Sequence, residues 1–581
     1  MATVGLTVIA MPHSRFVSFA LALALCGLAG APALAKPKPL AKPTAQAGHA
    51  MVAAANPLAA EAGLKVLKAG GDAIDAAVAI QSVLGLVEPQ SSGVGGGAFL
   101  TYYDARTGKV TAYNGREAAP AADGPNLFLK PDGTPLPFFE AILSGRSTGP
   151  PGAFAMLSLA QQQHGRLAWK DLFGDAEHMA SAGFVVSPRL AGFITSPVPQ
   201  AKAPDVVAYF TKSDGGLFKA GDVLRNPAYA RTLQAIAAGG AQVLYQGPIA
   251  DRIAARVQRD PGGTLTVADL KAYRAKSDPA LCRPYRVYLI CVPPAPSGGP
   301  VVLEMMGLLE RTDIDKRGPD DPVAWFEIAQ SERLAYADRE RYMGDPAFVS
   351  VPTEGLLSKP YLDVRAALIG TTAGPPPQPG TPPGAPVAGA DATREPGGTS
   401  HFVVVDKYGD VASMTTSVES IFGSGRMVDG FFLNNQLTDF SFLPKDREGR
   451  PAANAVAAGK RPRSSMSPVI VLDGKGRFVA ALGSPGGGAI PAYNIKALVG
   501  VLDWKLSMQQ AVALPNLIAN GAQYSAEVDR LSPQAVQGLA ARGMNFSGGR
   551  GENSGLHGVM SRGGKLSGGA DPRREGVVLG D

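Results

Sequence analysis

Cysteine and histidine are scarce in this sequence, and their scarcity argues against two common kinds of site. Three cysteines and six histidines occur among 581 residues. No two histidines are spaced as metal ligands, and neither a CxxC nor an HExxH motif is present. We therefore expect chemistry that uses no metal and no catalytic cysteine, and the sequence predicts no other cofactor.

Long runs of one charge are also missing. The 55 Lys and Arg residues exceed the 49 Asp and Glu residues by a net charge of +6, and no basic stretch is long enough to follow a phosphate backbone. Binding of a nucleic acid is therefore not expected.

An apolar run at residues 16–31 has the features of a signal peptide. Arg15 precedes the run, and Ala33-Leu34-Ala35 follows it as an A-x-A cleavage site. We expect cleavage after Ala35 and export, with the periplasm as the compartment. An uncleaved membrane anchor is the alternative, although the run is short for a bilayer span.

The two cysteines outside this segment, Cys282 and Cys291, flank the sequence RPYR, which we interpret as a hairpin turn. In an oxidising compartment such a pair is expected to form a disulfide. Two buried free thiols are the alternative.

Glycine and proline, in contrast, are abundant, with 71 and 49 residues. They dominate the segment TTAGPPPQPGTPPGAPVAGADATREPGG at 371–398, a composition typical of a flexible linker. This segment ends immediately before Thr399, and strand patterns follow at 401–406 and 411–418.

Local patterns elsewhere predict further regular elements. An apolar pattern with helical spacing at 73–86 follows Asp72, a favourable N-cap residue. Apolar and alternating runs predict strands at 98–103, 110–114, 469–472 and 478–482.

Thr399 lies at the junction between the linker and a strand. If the chain is cut between Gly398 and Thr399, the threonine gains a free α-amine. This amine titrates at about pH 8 and can act as a base for the hydroxyl of the same residue. Gly398 leaves the preceding carbonyl open to attack by that hydroxyl. A threonine at such a junction is common, so this interpretation depends on the rest of the sequence.

Short motifs follow one another from residue 70 to residue 573. Before the linker they are GGDAIDAA at 70–77, GGG at 95–97, GREAAP at 115–120 and PPAPSGG at 293–299. After it they are TSHFVVVD at 399–406, FGSG at 422–425, LNNQLTDFS at 433–441, RPRSSMSP at 461–468, GSPGG at 483–487 and GADPR at 569–573. In these motifs and their order, the chain resembles the γ-glutamyltransferase family over about residues 50–580.

The resemblance implies an α+β fold, the four-layer αββα architecture of N-terminal nucleophile hydrolases. It also implies that a precursor cuts itself into a heterodimer. Residues 1–35 would be the signal peptide, 36–398 the large subunit with the linker 371–398 at its end, and 399–581 the small subunit. Both subunits would build a single site.

For catalysis, the resemblance implies that Thr399 is both the self-cleaving residue and the nucleophile. Ser417 stands where the family usually has a second threonine, whose hydroxyl bonds the nucleophile. Gly486 and Gly487 would supply backbone N–H groups to an oxyanion, since glycine permits close backbone approach. The GGG loop at 95–97 is expected to serve packing, because it lacks the lysine of a phosphate-binding loop.

The resemblance also implies how the carboxylate of a substrate is bound. Arg116 would hold the substrate's α-carboxylate, because a guanidinium group fits a carboxylate with two hydrogen bonds. Ser464 and Ser465 would add hydroxyl donors to the same carboxylate.

The α-ammonium group of the substrate would be held by acidic and amide side chains. Asp439 would form the ion pair, with Gln436 as a secondary ligand. Glu419 stands where many members have asparagine and some bacterial members have glutamate. A carboxylate there can still bind an ammonium group, so the resemblance implies a substrate role for Glu419 as well.

The implied reaction moves a γ-glutamyl group from a small-molecule donor such as glutathione, through a Thr399 acyl-enzyme, to water or an amino-acid amine. One alternative is an acylase of the cephalosporin or glutaryl type on the same scaffold. A glutaryl group lacks the ammonium that Asp439 and Glu419 would bind. Another alternative is an exported binding protein without catalytic activity.

Overall fold

A computed structural model describes residues 46–391, 393–548 and 554–581. The predicted signal peptide and its cleavage site lie outside these residues. Within the described ranges, no helix combines the length and the apolar character needed to cross a bilayer.

Two seven-stranded antiparallel sheets form the centre of the described chain. Their strands are β1 Gln46–Ala47, β2 Met51–Ala54, β3 Gly97–Asp104, β4 Lys109–Gly115, β5 Lys276–Pro279, β6 Leu281–Tyr285, β7 Tyr288–Val292, β8 Ser400–Val405, β9 Val411–Ser417, β10 Val469–Asp473, β11 Phe478–Gly483, β12 His557–Arg562, β13 Lys565–Ala570 and β14 Val577–Gly580. The first sheet has the order β1-β13-β12-β11-β10-β7-β6, and the second has the order β14-β2-β8-β9-β3-β4-β5. Each strand predicted from the sequence is confirmed within one residue at either end. Shorter strands outside the two sheets are Phe184–Val185, Val223–Leu224, Met427–Val428, Phe431–Phe432, Leu517–Asn520, Gln523–Ala526 and Ser547–Gly548.

The two sheets pack face to face. Successive side chains of a strand point to opposite sides of its sheet, so a strand can contribute to two cores. In β8, Phe402 and Val404 belong to the core shared with helices, whereas Val403 and Val405 belong to the core between the sheets. Ile470 of β10 lies in the same intersheet core. The apolar run of β8 therefore reflects burial on both faces.

Helices cover the outer faces of both sheets. They are α1 Pro57–Lys68, α2 Ala73–Val87, α3 Phe138–Leu143, α4 Ala153–His164, α5 Gly174–Ala182, α6 Pro188–Ile194, α7 Pro204–Phe210, α8 Pro227–Gly239, α9 Pro248–Gln258, α10 Val267–Ala272, α11 Gly299–Leu309, α12 Pro322–Tyr342, α13 Thr353–Leu356, α14 Lys359–Ala366, α15 Ile490–Leu502, α16 Met508–Ala513 and α17 Pro533–Ala541. Helices α1, α2, α4, α5 and α8 share a core with the second sheet, and α11, α12, α15 and α16 share one with the first. These layers give the predicted αββα order.

The helix predicted at 73–86 is α2, and Asp72 caps it as predicted. Asp72 Oδ1 accepts hydrogen bonds from the N–H groups of Ile74 and Asp75, both at 2.9 Å. Every residue of α2 is buried, since helices α1, α4 and α5 and the strands β8 and β9 all pack against it.

Both parts of the chain on either side of Thr399 contribute to both sheets. Residues before it supply β1 to β7, and residues after it supply β8 to β14. Because each sheet mixes strands of both origins, a cut at 398–399 would not separate two independently built cores.

The segment 371–398 contains no helix or strand among its described residues, but side chains of α12 bind its backbone. Arg333 Nη2 donates to Gly374 O at 2.9 Å, and Asp338 Oδ1 accepts from Gly380 N–H at 2.6 Å. The irregular backbone agrees with the glycine and proline content, and its flexibility stays a prediction.

Cys282 in β6 and Cys291 in β7 stand opposite each other in the antiparallel pair and form a disulfide. The hairpin turn between the strands lies at Arg286 and Val287. Cys291 is fully buried, so the bond ties the edge strand β6 to the core of the first sheet.

Replacing both cysteines by alanine is expected to lower the free energy of unfolding by about 2–3 kcal/mol, because the cross-link closes a short loop with a separation of 9 residues. Thermal unfolding of the variant, and of the wild type with and without reductant, measures this loss. The reduced wild type should match the variant. A variant as stable as the oxidised wild type would contradict the prediction.

Candidate active site

Thr399 lies at the start of β8, where the linker segment enters the second sheet. It is 2% exposed. Ser400, the first residue of β8, pairs with Thr416 of β9, so Thr399 comes to lie beside Ser417 at the end of β9. The structure thereby brings together the two hydroxyl groups that the resemblance links to the reaction.

A chain of hydrogen bonds connects Thr399 to the carbonyl of the bond predicted to be cut. Ser417 Oγ lies 3.0 Å from Thr399 Oγ1 and donates to Gly398 O at 3.1 Å. It also accepts from the N–H of Glu419 at 2.8 Å. A serine hydroxyl has one proton to donate. Because Ser417 gives its proton to Gly398 O, the hydroxyl of Thr399 must donate to Ser417.

The loop at Gly486 and Gly487 lies against the segment that precedes Thr399. The φ angles of the two glycines are 138° and 55°, values that favour glycine. A side chain at Gly487 would collide with the carbonyl oxygens of Glu395 and Pro396. Helix α15 begins at Ile490, so the loop leads into a helix N-terminus, which favours negative charge. This position suits the predicted oxyanion site.

The GGG loop packs closely against the same region, as expected. A side chain at Gly95 would collide with Phe432 O, and one at Gly96 would collide with Ser417 O. The glycines therefore let the loop approach the backbone at the end of β9 and help to fix Ser417.

Arg116 is fully buried. Its guanidinium group contacts Asp439, the residue that the resemblance assigns to the α-ammonium group of the substrate. It donates to Asp439 Oδ2 and to Gln436 Oε1. It also donates to the carbonyl oxygens of Pro462 and Arg463, at 3.2 and 2.8 Å. The predicted carboxylate anchor and the predicted ammonium ligand thus form one buried ion pair.

Two acidic side chains at this ion pair have unused acceptor atoms. Apart from the contact between the two carboxyl groups themselves, Glu419 Oε1 and Asp439 Oδ1 are buried and meet no hydrogen-bond donor in the part of the chain that the structure describes. Burial raises the pKa of Asp439 to about 6, although the Arg116 guanidinium favours its charged form. Burial also raises the pKa of Glu419 well above its usual range, and the neighbouring Asp439 carboxylate adds to this rise. Buried acceptors without donors suit a ligand that brings N–H groups.

The backbone of Glu419 has a φ of 81°, a conformation that residues other than glycine seldom adopt. The residue follows the end of β9 closely, and its N–H points back to the Ser417 hydroxyl. This turn joins the proposed reaction centre to the acidic pair.

Ser464 and Ser465 of the RPRSSMSP motif have different surroundings. The Ser464 hydroxyl accepts from the N–H of Met466 at 3.1 Å. Ser465 Oγ donates to Glu395 Oε2 at 2.5 Å and accepts from Arg339 Nη2 at 2.8 Å. Among the described residues, neither serine hydroxyl is hydrogen-bonded to Arg116, with which both were predicted to act.

Several residues near the site were not predicted from the sequence. Arg574 Nη1 donates to Thr399 O at 3.1 Å, and Glu88 Oε2 accepts from Ser400 Oγ at 2.8 Å. Arg574 directly follows the GADPR motif, so its position next to a recognised motif could have identified it from the sequence. Glu88 ends a helix without any distinctive local pattern, so only its contact identifies it.

Comparison with known proteins agrees with this geometry. The sequence profile of the Gamma-glutamyltranspeptidase family matches residues 59–581. The glutathione hydrolase proenzymes of Bacillus subtilis (strain 168) and Escherichia coli (strain K12) are each 34% identical to this chain, and in both comparisons 91% of each chain is covered. Among solved structures, a cephalosporin acylase from Bacillus halodurans has a TM-score of 0.84 and 28% identity, over 94% of this chain and 98% of that one.

The family profile spans nearly the whole chain, and the aligned relatives have similar lengths. The layer order, the position of Thr399 and the buried Arg116–Asp439 pair fit the same assignment. From these observations we conclude that the chain belongs to the γ-glutamyltranspeptidase family and is an enzyme of that family.

Proposed function

We propose that this enzyme cuts its own chain between Gly398 and Thr399 and then acts as a γ-glutamyltransferase and glutathione hydrolase. The observation that carries the proposal is the chain of hydrogen bonds from Thr399 Oγ1 through Ser417 Oγ to Gly398 O, with lengths of 3.0 and 3.1 Å. These bonds connect the nucleophile, Thr399 Oγ1, and a hydrogen-bond donor, Ser417 Oγ, to the Gly398 carbonyl, which is the group attacked in self-cleavage.

Self-cleavage would proceed through an ester. Thr399 Oγ1 attacks the carbonyl carbon of Gly398 while the Ser417 hydroxyl donates to the carbonyl oxygen. The C–N bond breaks as the ester bond forms, and the threonine hydroxyl proton ends on the Thr399 nitrogen. Water then hydrolyses the ester, which leaves a carboxylate on Gly398 and restores the threonine hydroxyl. The products are the two subunits of a heterodimer.

Turnover would use the same hydroxyl with a free amine beside it. The α-amine of Thr399 takes the hydroxyl proton as Oγ1 attacks the γ-carbonyl of the donor. The donor's amide nitrogen leaves with that proton, and a γ-glutamyl ester remains on Thr399. The N–H groups of Gly486 and Gly487 stabilise the oxyanion. Water, or the amine of an acceptor, then attacks the ester and releases glutamate or a new γ-glutamyl amide.

The buried ion pair supplies the recognition of the γ-glutamyl group. A substrate with an α-carboxylate and an α-ammonium can exchange the single Arg116–Asp439 pair for two pairs, one at each residue. The unused oxygens of Glu419 and Asp439 would then receive N–H donors from the ammonium. This exchange leaves no buried charge without a partner, which is the condition for a favourable buried site.

The names of the relatives support two donor classes. The curated relatives named as glutathione hydrolases support glutathione-type donors, and the structural likeness to a cephalosporin acylase supports the second candidate, an acylase of the cephalosporin or glutaryl type. A glutaryl group has no ammonium and would leave the acceptors of Glu419 and Asp439 unsatisfied. The geometry therefore favours a γ-glutamyl donor.

We also propose that the enzyme is exported and works in the periplasm. The signal-like sequence at its start motivates this proposal, and the Cys282–Cys291 disulfide supports it, since such bonds persist in oxidising compartments.

The pH dependence of donor binding tests this function. Ionised Asp439 binds an ammonium, and its pKa is about 6, so we expect the KM for γ-glutamyl-4-nitroanilide to fall as pH rises from about 5 to about 7. Below the pKa, each pH unit changes the ionised fraction about tenfold, and KM should change by up to that factor. Release of 4-nitroaniline measures it. A constant KM would contradict the role of Asp439, and no release at any pH would contradict the function.

A further inference from the structure

The carboxylate of Glu395 occupies a cationic site close to Thr399. Its side chain is 4% exposed and forms an ion pair with Arg339. Arg463 Nε lies 3.3 Å from Glu395 Oε1, and Ser465 Oγ donates to Oε2 at 2.5 Å. Arg339 Nη2 also donates to Ser465 Oγ at 2.8 Å, so the three groups form one continuous set of donors around a single carboxylate.

The two buried arginines keep the carboxyl group of Glu395 ionised. The side chains of Arg339 and Arg463 are 5% and 1% exposed. Burial by itself would raise the pKa of Glu395, but the two guanidinium groups lower it to about 2. Glu395 therefore binds as a full negative charge, as a substrate carboxylate would.

Glu395 must leave this place during turnover. Thr399 Oγ1 attacks the carbonyl of Gly398 in self-cleavage and the carbonyl of the donor in every later cycle, so the donor needs the space that Gly398 fills. Pro396, Gly397 and Gly398 connect Glu395 to the cut, and after cleavage this stretch is a free chain end. Glu395 is thus attached to the part of the chain that has to move.

Departure of the segment removes the negative charges that balance the two arginines. Arg463 Nη1 lies 3.3 Å from Asp391, which belongs to the same segment as Glu395. A buried guanidinium without a partner is strongly unfavourable. Binding of another carboxylate to the emptied site is therefore strongly favoured.

A cavity beside Glu395 provides the space for such a ligand. It has a volume of about 560 Å³, and Arg339, Arg463, Glu395 and Gly488 are among its lining residues. Gly488 N–H donates to Glu395 O at 3.2 Å and directly follows the Gly487 of the proposed oxyanion site. The cationic site is therefore continuous with the place where the donor amide would react.

We propose that Arg339 and Arg463 form a second carboxylate subsite, which Glu395 fills in the uncut chain and which binds the C-terminal carboxylate of a γ-glutamyl peptide after cleavage. This inference rests on the proposed function. Arg116, Ser464 and Ser465 remain for the α-carboxylate of the γ-glutamyl group, so a peptide donor with two carboxylates finds a cationic partner for each. The subsite would select γ-glutamyl peptides over γ-glutamyl amides with neutral leaving groups.

Glutathione and its amide, in which the C-terminal carboxylate is replaced by a carboxamide, form a matched pair of donors. We expect the wild-type kcat/KM for glutathione to exceed that for the amide by about tenfold or more, the range of a charge-assisted hydrogen bond. The ratio should approach 1 in Arg339→Gln and in Arg463→Gln, and Arg463→Lys should retain part of it. Arg106→Gln, at an arginine that is 85% exposed, is the control and should keep the wild-type ratio. A wild-type ratio near 1, or a ratio unchanged by both glutamine variants, would overturn the subsite.

Calorimetry on the cut wild-type enzyme separates this inference from the proposed function and needs no variant. The probes are the peptide of residues 386–398, PVAGADATREPGG, and the same peptide with Glu395→Gln. We expect the first to bind at least about tenfold more tightly. If neither donor is cleaved, the proposed function fails while tighter binding of the first peptide still supports the subsite. Equal binding of the two peptides, or none, would overturn the subsite whether or not glutathione is cleaved.

Discussion

A Thr399→Ala variant is expected to remain a single uncut chain and to turn over γ-glutamyl-4-nitroanilide at less than about 10⁻⁴ of the wild-type rate. The wild type should yield two fragments, and the smaller should begin Thr-Ser-His-Phe. The reason is that one hydroxyl serves both reactions, and Ser417 is hydrogen-bonded to Gly398 O rather than left free to attack it. Intact mass, N-terminal sequencing and nitroaniline release measure the three outcomes.

Two further variants make this test specific to the hydroxyl of Thr399. Thr399→Ser keeps a hydroxyl and should still be cut, more slowly. Thr381→Ala changes an exposed threonine in the linker and should be cut at the wild-type rate. Cleavage of Thr399→Ala at the 398–399 bond would show that another group performs the attack.

Asp439→Asn is expected to lower kcat/KM for γ-glutamyl-4-nitroanilide by about 10²–10³, mainly through KM. The substitution removes the partner of the substrate ammonium and also leaves Arg116 buried beside a neutral group. Loss of one partner of a buried ion pair costs about 3–5 kcal/mol, and each 1.4 kcal/mol corresponds to about tenfold in binding. Steady-state kinetics near pH 8, where Asp439 of the wild type is ionised, measure the effect.

The same variant separates the γ-glutamyl donor from the glutaryl donor. Glutaryl-4-nitroanilide has no ammonium, so its kcat/KM should fall much less in Asp439→Asn. Asp363→Asn is the matched control, since Asp363 pairs with Arg311 at the surface and is 52% exposed. Equal losses for both donors would contradict an ammonium site at Asp439. A wild-type preference for the glutaryl donor would favour the acylase alternative.

The sequence by itself was sufficient for the features that depend on short stretches of chain. The cap at Asp72 and the strands β3, β4 and β8 to β11 follow from local patterns, because each pattern needs only its own neighbours. The junction at Thr399 is also a local feature, where a glycine- and proline-rich segment meets a strand. The motifs and their order were enough to indicate the family and, through it, the αββα layers.

The tertiary structure decided which charged groups meet. Arg116 and Asp439 are 323 residues apart, and nothing in either motif shows that they pair with each other in the core. The same is true of Glu395, which lies in a segment whose composition indicated only a linker, yet whose carboxylate is buried between Arg339 and Arg463. The partner of a buried charge is set by which parts of the chain the packed sheets and helices bring within hydrogen-bond distance. Composition and spacing along the chain carry little information about that distance.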